Sequence, residues 1–127
     1  MSIPVVAIFD CGVGQGGASL VYHVAHMLAY QGIRVVAADF DPRVNLSSAL
    51  LAEERLEQIW SEDCAGDQDI GGHTSPPRAI DPSREPQLEL INDNLAFLPG
   101  DIRLSLFEDT FSSAWFNRLD RNVGVSR

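Results

Sequence analysis

A glycine-rich stretch, CGVGQGGASL from Cys11 to Leu20, is the part of this sequence with the clearest chemistry. Glycines let successive backbone N–H groups approach an anion, because a Cβ atom would block the approach. The segment that follows has the pattern of a helix, and the N-terminal end of a helix attracts negative charge. The stretch predicts a phosphate or anion site, although a tight strand-to-helix turn alone would also need glycine.

The charged group that a phosphate loop requires is missing from this stretch. Such a loop ordinarily adds a lysine that reaches the terminal phosphates and a Ser or Thr hydroxyl that binds Mg²⁺. All nine basic residues of the chain are arginines, and the sequence contains no lysine. The general motif G-x-x-x-x-G-K-[ST] is therefore unmet, and the glycines by themselves are a weak signal of nucleotide binding.

Two acids end the next apolar run. The segment IRVVAADFD closes on Asp39 and Asp41. The carboxyl ends of parallel strands are where α/β sheets bind ligands. Taken alone, these residues fit two interpretations equally well. One is a ligand site, and the other is a structural strand end in which Asp41-Pro42 forms a simple turn.

Strand, glycine turn, helix and strand follow one another in the first forty residues. IPVVAIF, residues 3–9, is short and rich in β-branched residues, which is typical of a strand buried on both faces. A second buried strand over 33–38 would complete a βαβ unit, whose crossover places the two strands parallel. The intervening segment predicts a helix of about four turns that ends at Gly32. Its predicted buried face consists of Leu20, Val24, Met27, Leu28 and Gln31.

The rest of the chain predicts two more helices, a short helix or strand over 88–92 and one more strand, all within a single domain, residues 1–127. The first helix covers 46–60 and is capped by Asn45 or Ser47. A mobile loop, rich in Gly, Pro, Ser and Asp, is predicted at 66–87. A turn near Asp93-Asn94, a strand over 95–98 and a final amphipathic helix over 102–120 follow. The helix over 46–60 is expected to bury Leu46, Leu50, Leu56 and Trp60.

Residues 3 to about 113 resemble the N-terminal half of the ParA/MinD-type ATPases, the deviant Walker A group of plasmid and chromosome partitioning. That family has K-G-G-V-G-K-T-T-L, then a helix, RV, a strand and D-x-D-P-Q-x-N. This chain has GVGQGGASL, then a helical segment and RVVAADFDPRVN, with the strongest likeness over 20–51. Arg43 replaces the glutamine of the family motif. NLAFLPGDIRLSLFED also resembles a later strand and helix of the family.

The resemblance implies an α/β fold with three layers around a P-loop NTPase-like parallel sheet, incomplete here because the chain is about half a family domain. It implies ATP and Mg²⁺ as cofactors. Asp41 would match the acid that orients the attacking water, and Asp39 the acid near the metal. The residues aligned with the phosphate loop are Gly12, Gly14, Gly16, Gly17, Ala18 and Ser19.

The same alignment predicts a degenerate nucleotide site. In a register without gaps, Gly12 and Gly17 stand at the two lysines of the family, and Ala18 stands at the Mg²⁺-binding threonine. Phosphoryl transfer depends on positioned positive charge, so such losses cost orders of magnitude in rate. We expect an inactive site with at most weak binding of ATP or another anion, and whether the chain is an enzyme stays open.

Three functions stay open at this point. The chain is a ParA-like relative with a degenerate nucleotide site, a non-enzymatic module that docks on an intact homologue or another partner, or a truncated fragment without function. The resemblance implies a homodimer or a homologue as partner, and DNA-partition partners. The formal net charge of −9, however, argues against a generally basic nucleic-acid-binding surface.

The apolar runs and the cysteines indicate a cytoplasmic protein without a membrane partner. No apolar run approaches the ~20 residues needed to span a bilayer. The two cysteines form no disulfide framework, which is expected in a reducing compartment.

Other candidate sites are weaker. His23 and His26 have a spacing that can bind metal, but a half-exposed helical pair is favoured because no third ligand is evident. Cys11 borders the glycine turn and is expected to fill space. The acids between Glu53 and Asp69 are expected to form a solvated face. Core packing or a lost interface is expected for Phe107, Phe111, Trp115 and Phe116.

Overall fold

Three helices and three strands make up the part of the chain that the computed structural model describes, residues 2–9, 16–65 and 85–105. Helix α1 is Gly17–Tyr30, strand β1 is Val35–Ala38, and helices α2 and α3 are Asn45–Leu50 and Glu53–Ala65. Strands β2 and β3 are Glu89–Asn92 and Leu95–Leu98.

The sheet is mixed and has the strand order β1-β3-β2. Strand β1 runs parallel to β3, with Val35 opposite Leu95 and Ala38 opposite Leu98, whereas β2 runs antiparallel to β3. Among the described residues there is thus one parallel pair in a small three-stranded sheet. The predicted three-layer, P-loop NTPase-like parallel sheet is wrong for this structure.

The predicted first strand is one reason for the difference. Residues 2–9 are described, and they belong to no strand. The side chains of Ile3, Val5, Val6 and Phe9 are 85–88% exposed. Because a strand exists only when its backbone pairs with a neighbour, the apolar pattern of this segment does not make it a strand, and the predicted βαβ unit is not formed.

The hairpin between β2 and β3 is the other reason. A turn at Asp93-Asn94 joins the two strands, as predicted, and so short a connection permits only antiparallel pairing. Asn94 also fixes the hairpin against the rest of the fold. Its side-chain amide donates to the carbonyl of Ala29 in α1 at 3.1 Å, and its carbonyl accepts the N–H of Val35 at 2.7 Å. The predicted strand over 95–98 is confirmed.

Helix α1 ends where the sequence predicts. Gly32 has a φ of 81°, in the left-handed region that favours glycine. Its N–H donates to the carbonyl of Ala29 at 3.0 Å, and the N–H of Ile33 donates to the carbonyl of Leu28 at 3.1 Å. These two bonds form a Schellman motif, which satisfies carbonyls at the end of the helix.

The predicted buried face of α1 is wrong. Leu20 and Met27 are exposed, and the residues that the helix buries are Ala25 and Ala29. The larger residues of this helix that pack against the core cluster include Val21 and Tyr22, which the predicted face does not contain. The core cluster consists of Ala25, Ala29, Ala37, Leu46, Leu95 and Phe97.

The single helix predicted over 46–60 is two helices. Helix α2 ends at Leu50, and Leu51 has extended backbone angles of φ −123° and ψ 146°. Leu46 and Leu56 are buried as predicted. Neither Asn45 nor Ser47 is the N-cap of α2, because the residue at that position is Val44 and no side chain caps the helix from there.

The predicted loop at 66–87 and the predicted final helix at 102–120 lie mostly outside the residues that the structure describes. Of the predicted loop at 66–87 only 85–87 are described, and of the predicted final helix at 102–120 only 102–105. None of the described helices has the length and apolarity required to cross a membrane.

An ion pair joins α3 to the edge strand β2. The guanidinium of Arg55 donates to both carboxylate oxygens of Glu89, at 2.9 Å from Nε and 2.7 Å from Nη2. These hydrogen bonds lower the pKa of Glu89 below its usual value, against the opposing effect of burial. The pKa of Arg55 is raised, with the hydrogen bond to Glu89 as the first cause.

We predict that Glu89→Gln weakens the dependence of stability on pH in the acid range. Because the pKa of Glu89 is lower in the folded than in the unfolded chain, the pair stabilises the fold above the unfolded pKa. This stabilisation is lost as the pH falls through the folded pKa. Urea unfolding near neutral pH should show the variant less stable by under ~1 kcal/mol, since Arg55 is 34% exposed. The difference should vanish in acid.

Arg55→Gln removes the other partner of the same ion pair and provides the matched variant for this experiment. It should reduce the slope of unfolding free energy against pH as Glu89→Gln does. Equal slopes for the wild type and Glu89→Gln would contradict the role given to the ion pair.

Candidate functional site

The N-terminus of α1 is an uncapped helix end that follows a glycine turn. Gly16, the N-cap residue, has φ 76° and ψ 13°, the left-handed conformation that glycine adopts without strain. Within the described residues no side chain caps this end, and the first turn contains no acid. The first intrahelical bond joins the N–H of Leu20 to the carbonyl of Gly16 at 2.9 Å. The N–H groups before Leu20 therefore have no acceptor within the helix and present partial positive charge.

The structure describes four of the six residues aligned with the phosphate loop. Gly16, Gly17, Ala18 and Ser19 form the start of α1, where Ser19 is exposed and Ala18 packs against the core cluster. Gly12 and Gly14 lie outside the described residues, and so does Cys11. Their part in a phosphate site stays a prediction. The aromatic residues beyond position 105 also lie outside.

Asp39 follows β1 directly, and its carboxylate is buried, with the residue only 3% exposed. One oxygen, Oδ2, accepts the backbone N–H of Ser47 at 2.9 Å and its hydroxyl at 2.7 Å. The other, Oδ1, accepts the N–H of Asp41 at 3.1 Å. Because Ser47 lies in the first turn of α2, this carboxylate satisfies a helix N–H that the N-cap residue leaves open.

The hydroxyl of Ser47 extends this arrangement to the third strand. It accepts the N–H of Gly100, two residues beyond β3, at 2.9 Å. A Cβ atom on Gly100 would lie 3.0 Å from both Cγ and the carbonyl oxygen of Asp39. Asp39, Ser47 and Gly100, here called the Asp39 network, therefore join the ends of β1 and β3 to the start of α2. The indole of Trp60 donates to the carbonyl of Gly100 at 3.1 Å and adds α3.

A strained residue lies between Asp39 and Ser47. Val44, the N-cap of α2, has a φ of 51°, and it is the one residue other than glycine with positive φ among those described. The left-handed conformation costs a residue with a Cβ atom about 1–2 kcal/mol. The fixed positions of Asp39 and Ser47 on either side of the turn hold Val44 in this conformation.

The Asp39 carboxylate thus has a structural role in this fold. A Mg²⁺ ion bound here would have to compete with three N–H and O–H donors. The part of the chain that is described holds no group of three or more His, Cys, Asp or Glu side chains suited to a metal ion. The assignment of Asp39 to a metal rests on the resemblance alone.

Asp41, the residue aligned with the acid that orients water, forms an ion pair. The guanidinium of Arg43 donates to both carboxylate oxygens, with Nη2 at 2.6 Å from Oδ2 and Nε at 3.0 Å from Oδ1. The side-chain hydrogen bond from Arg43 lowers the pKa of Asp41, against some opposing desolvation. The N–H of Val44 donates to the carbonyl of Asp41 at 2.9 Å, so residues 41–44 form the turn expected at Asp41-Pro42.

A second Asp-x-Arg unit repeats this geometry after β3. Arg103 donates its backbone N–H to Asp101 Oδ1 at 2.8 Å and its Nη2 to Oδ2 at 2.6 Å. The sequence analysis missed this pair. The signal was available, because D-P-R and D-I-R both follow apolar strands that lead toward the same edge of the sheet. Asp101 is the more buried of the two aspartates, and its carbonyl accepts the N–H of Leu104 at 3.0 Å.

The histidines of α1 contact a tyrosine. The ring of His26 lies 4.5 Å from that of Tyr22, and the ring of His23 lies 5.3 Å from it, measured between centroids. His23 is exposed and His26 is half-buried, with an Nε2 atom that has no hydrogen-bond partner. The arrangement is aromatic packing on one side of the helix.

Comparison with known proteins finds similar chains among the solved structures. No protein-family model and no curated protein matches the chain. Among solved structures it is similar to protein DIP2308 from Corynebacterium diphtheriae, at 30% sequence identity and a TM-score of 0.64. The match covers 87% of this chain and 39% of that one, so the chain spans less than half the length of its relative. The name of that protein states no activity, and the likeness supports a common fold over the shared segment.

Proposed function

We propose that the chain is a relative of the ParA-type partition ATPases whose nucleotide site is degenerate. It binds ATP with Mg²⁺, or another phosphate-containing anion, weakly and without hydrolysis. The observation that carries the proposal is the uncapped N-terminus of α1 after a left-handed Gly16. Backbone N–H groups and a helix end are the parts of a phosphate site that need no side chain. Partition partners and a cytoplasmic location belong to the same proposal and rest on the resemblance.

Several features argue against hydrolysis. The chain has no lysine to reach a terminal phosphate, and alanine stands at position 18, where the family has the metal-binding hydroxyl. Asp41, the residue that would orient water, is held by the guanidinium of Arg43. With positive charge and metal ligand both lacking, the transition state of phosphoryl transfer is not stabilised.

The affinity should be low. Interaction of an anion with a helix end contributes on the order of 1 kcal/mol, up to about 2 kcal/mol when partly buried. A dissociation constant of ~1 mM already requires about 4 kcal/mol. We therefore expect binding in the millimolar range or weaker, without a lysine to add a full positive charge.

We predict opposite effects of Ser19→Glu on stability and on anion binding. Ser19 is exposed in the first turn of α1, so a carboxylate there interacts favourably with the helix end, by about 0.3–1 kcal/mol, and should raise Tm. The same charge repels phosphate, so the rise in Tm that Mg·ATP or inorganic phosphate produces should disappear. Thermal melts with and without each ligand measure both effects. Ser19→Gln, the neutral control, should keep the ligand effect.

Restoring the missing groups tests whether the site is inherited. Gly17→Lys combined with Ala18→Thr should strengthen Mg·ATP binding at least tenfold in calorimetric titration, because the lysine adds a charge-assisted hydrogen bond. Gly17→Lys alone is the control for a nonspecific gain in charge. If neither the wild type nor the restored chain binds Mg·ATP at millimolar concentration, the proposal is wrong.

A second candidate function is a non-enzymatic interaction module. The observation that favours it is apolar surface on the described part of the chain. Residues 3–9 are exposed, and so are Val36 and Leu90 on the sheet. The candidate partners are an intact homologue, a second copy of this chain or another protein. Binding through exposed apolar surface would not require a nucleotide.

A further inference from the structure

The segment Ile3–Phe9 has the composition of a strand and pairs with no strand among the described residues. All seven residues, IPVVAIF, are uncharged and apolar, and four are β-branched. Each of them is exposed in the structure, and none belongs to the sheet. Such a segment pairs readily with an open sheet edge, because its side chains fit a pleated, half-buried surface.

Strand β1 offers such an edge. Among the described residues, β1 pairs with β3 alone, so it ends the sheet. The N–H groups of Val35 and Asp39 donate toward β3, to the carbonyls of Asn94 and Leu98. Since backbone groups alternate along a strand, the N–H and C=O groups of Val36 and Ala38 point to the open side. No charged residue occurs in β1.

The sheet face beside this edge is also apolar. Val36 and Leu90 both lie opposite Ala96 in the sheet register, which places the three on one face. Val36 is 61% exposed and Leu90 84% exposed, so α1 covers the other face. A strand added next to β1 would place its own apolar side chains beside Val36.

We propose that Ile3–Phe9 of one copy of this chain adds as a strand to the β1 edge of a second copy, and that the exchange is reciprocal. Each copy has one strand-like segment outside the sheet and, at β1, a sheet edge without charged residues, so two copies related by a two-fold axis satisfy both. Neither surface is charged, so their contact buries no charge. Pro4, which lacks an N–H, lies near the start of the segment, where a strand tolerates it.

The strand that pairs with the β1 edge comes from a second copy, because within one copy Ile3–Phe9 does not lie on that edge. In the single chain the side chains of Val5 and Val6 are 87% and 85% exposed. The exchange concerns residues 3–9 and β1, whereas the anion site is at the start of α1, so dimerisation and nucleotide binding are measured by separate experiments.

Sedimentation velocity on the full chain tests the proposal. The wild type should sediment as a dimer at micromolar concentration, and Val6→Lys should sediment as a monomer with unchanged far-UV circular dichroism. A lysine at this position cannot disturb the single copy, since Val6 is exposed there. Leu90→Lys is the matched control, because this equally exposed apolar residue lies on the opposite edge strand, and it should remain dimeric.

Mixing two variants adds a test that general loss of solubility cannot imitate. Val36→Pro removes an N–H on the open side of β1 while leaving the ladder to β3 intact, so this variant should donate its strand but not accept one. Val6→Lys should accept but not donate. Each alone should be monomeric, and their mixture should form a one-to-one heterodimer through a single pairing.

Two results would overturn the exchange. One is a wild type that is monomeric at all concentrations. If, in addition, Val6→Lys had a lower Tm than this monomeric wild type, the segment would dock on its own chain. The other is a dimer that persists in Val6→Lys. If Val36→Pro fails to fold, the comparison of Val6→Lys with Leu90→Lys decides alone.

Discussion

Asp39→Ala is expected to lower the free energy of unfolding by about 3 kcal/mol, since loss of a buried charged acceptor leaves its donors unpaired. The carboxylate is 3% exposed and accepts three hydrogen bonds, two from Ser47 and one from Asp41. Without it, the N–H of Ser47 and the first turn of α2 lose their acceptor. The strained turn at Val44 loses the contacts that hold it.

Asp41→Ala is the matched control, two residues away. Asp41 is 36% exposed and its partner Arg43 is 40% exposed, so the ion pair should contribute under ~1 kcal/mol. Urea unfolding of both variants and the wild type, in buffer without Mg²⁺, measures the difference. If Asp39 acts mainly as a metal ligand, Asp39→Ala would instead match the wild type in such a buffer, and the structural role would be contradicted.

Phe97→Ala is expected to cost about 4 kcal/mol, the usual range for truncating a fully buried phenylalanine being ~3–5 kcal/mol. Phe97 is 0% exposed in β3, the central strand of the sheet, and packs in the cluster with Ala25, Ala29 and Ala37. A cavity at this point removes contacts from the helix and from both neighbouring strands. In so small a core, the variant should be largely unfolded at room temperature.

Phe40→Ala provides the comparison, because Phe40 follows β1 and is 58% exposed. It should change the free energy of unfolding by under about 1 kcal/mol. Circular dichroism during urea unfolding separates the two variants. A cost for Phe97→Ala no larger than that for Phe40→Ala would mean that β3 is not the centre of the core.

Local patterns in the sequence predicted the elements that need only nearby residues. Helix α1 and its end at Gly32 follow from helical periodicity and a left-handed glycine. The turn at Asp93-Asn94 and strand β3 follow from a turn signal before an apolar run. The break in the second helix was missed, because the apolar spacing continues through Leu51 although its backbone is extended.

The sheet could not be predicted in the same way. An apolar, β-branched segment indicates a capacity to pair, and its partner is set by the whole fold. Residues 3–9 have this capacity and remain unpaired, whereas β2 pairs with β3 through a tight hairpin. The prediction of a parallel three-layer sheet came from the family resemblance and from assuming that the segment over 3–9 pairs as the first strand of a βαβ unit.

Asp39 and Asp41 show the same division within the candidate site. The sequence by itself placed both acids at the end of a strand and showed that no lysine is present to bind a phosphate. Only the tertiary structure decided what each carboxylate contacts. The partner of Asp41 is two residues away, whereas Asp39 reaches Ser47 eight residues on, and Ser47 reaches Gly100 over 53 residues. Periodicity and composition describe single elements, and hydrogen bonds between elements form only where folding brings their ends together.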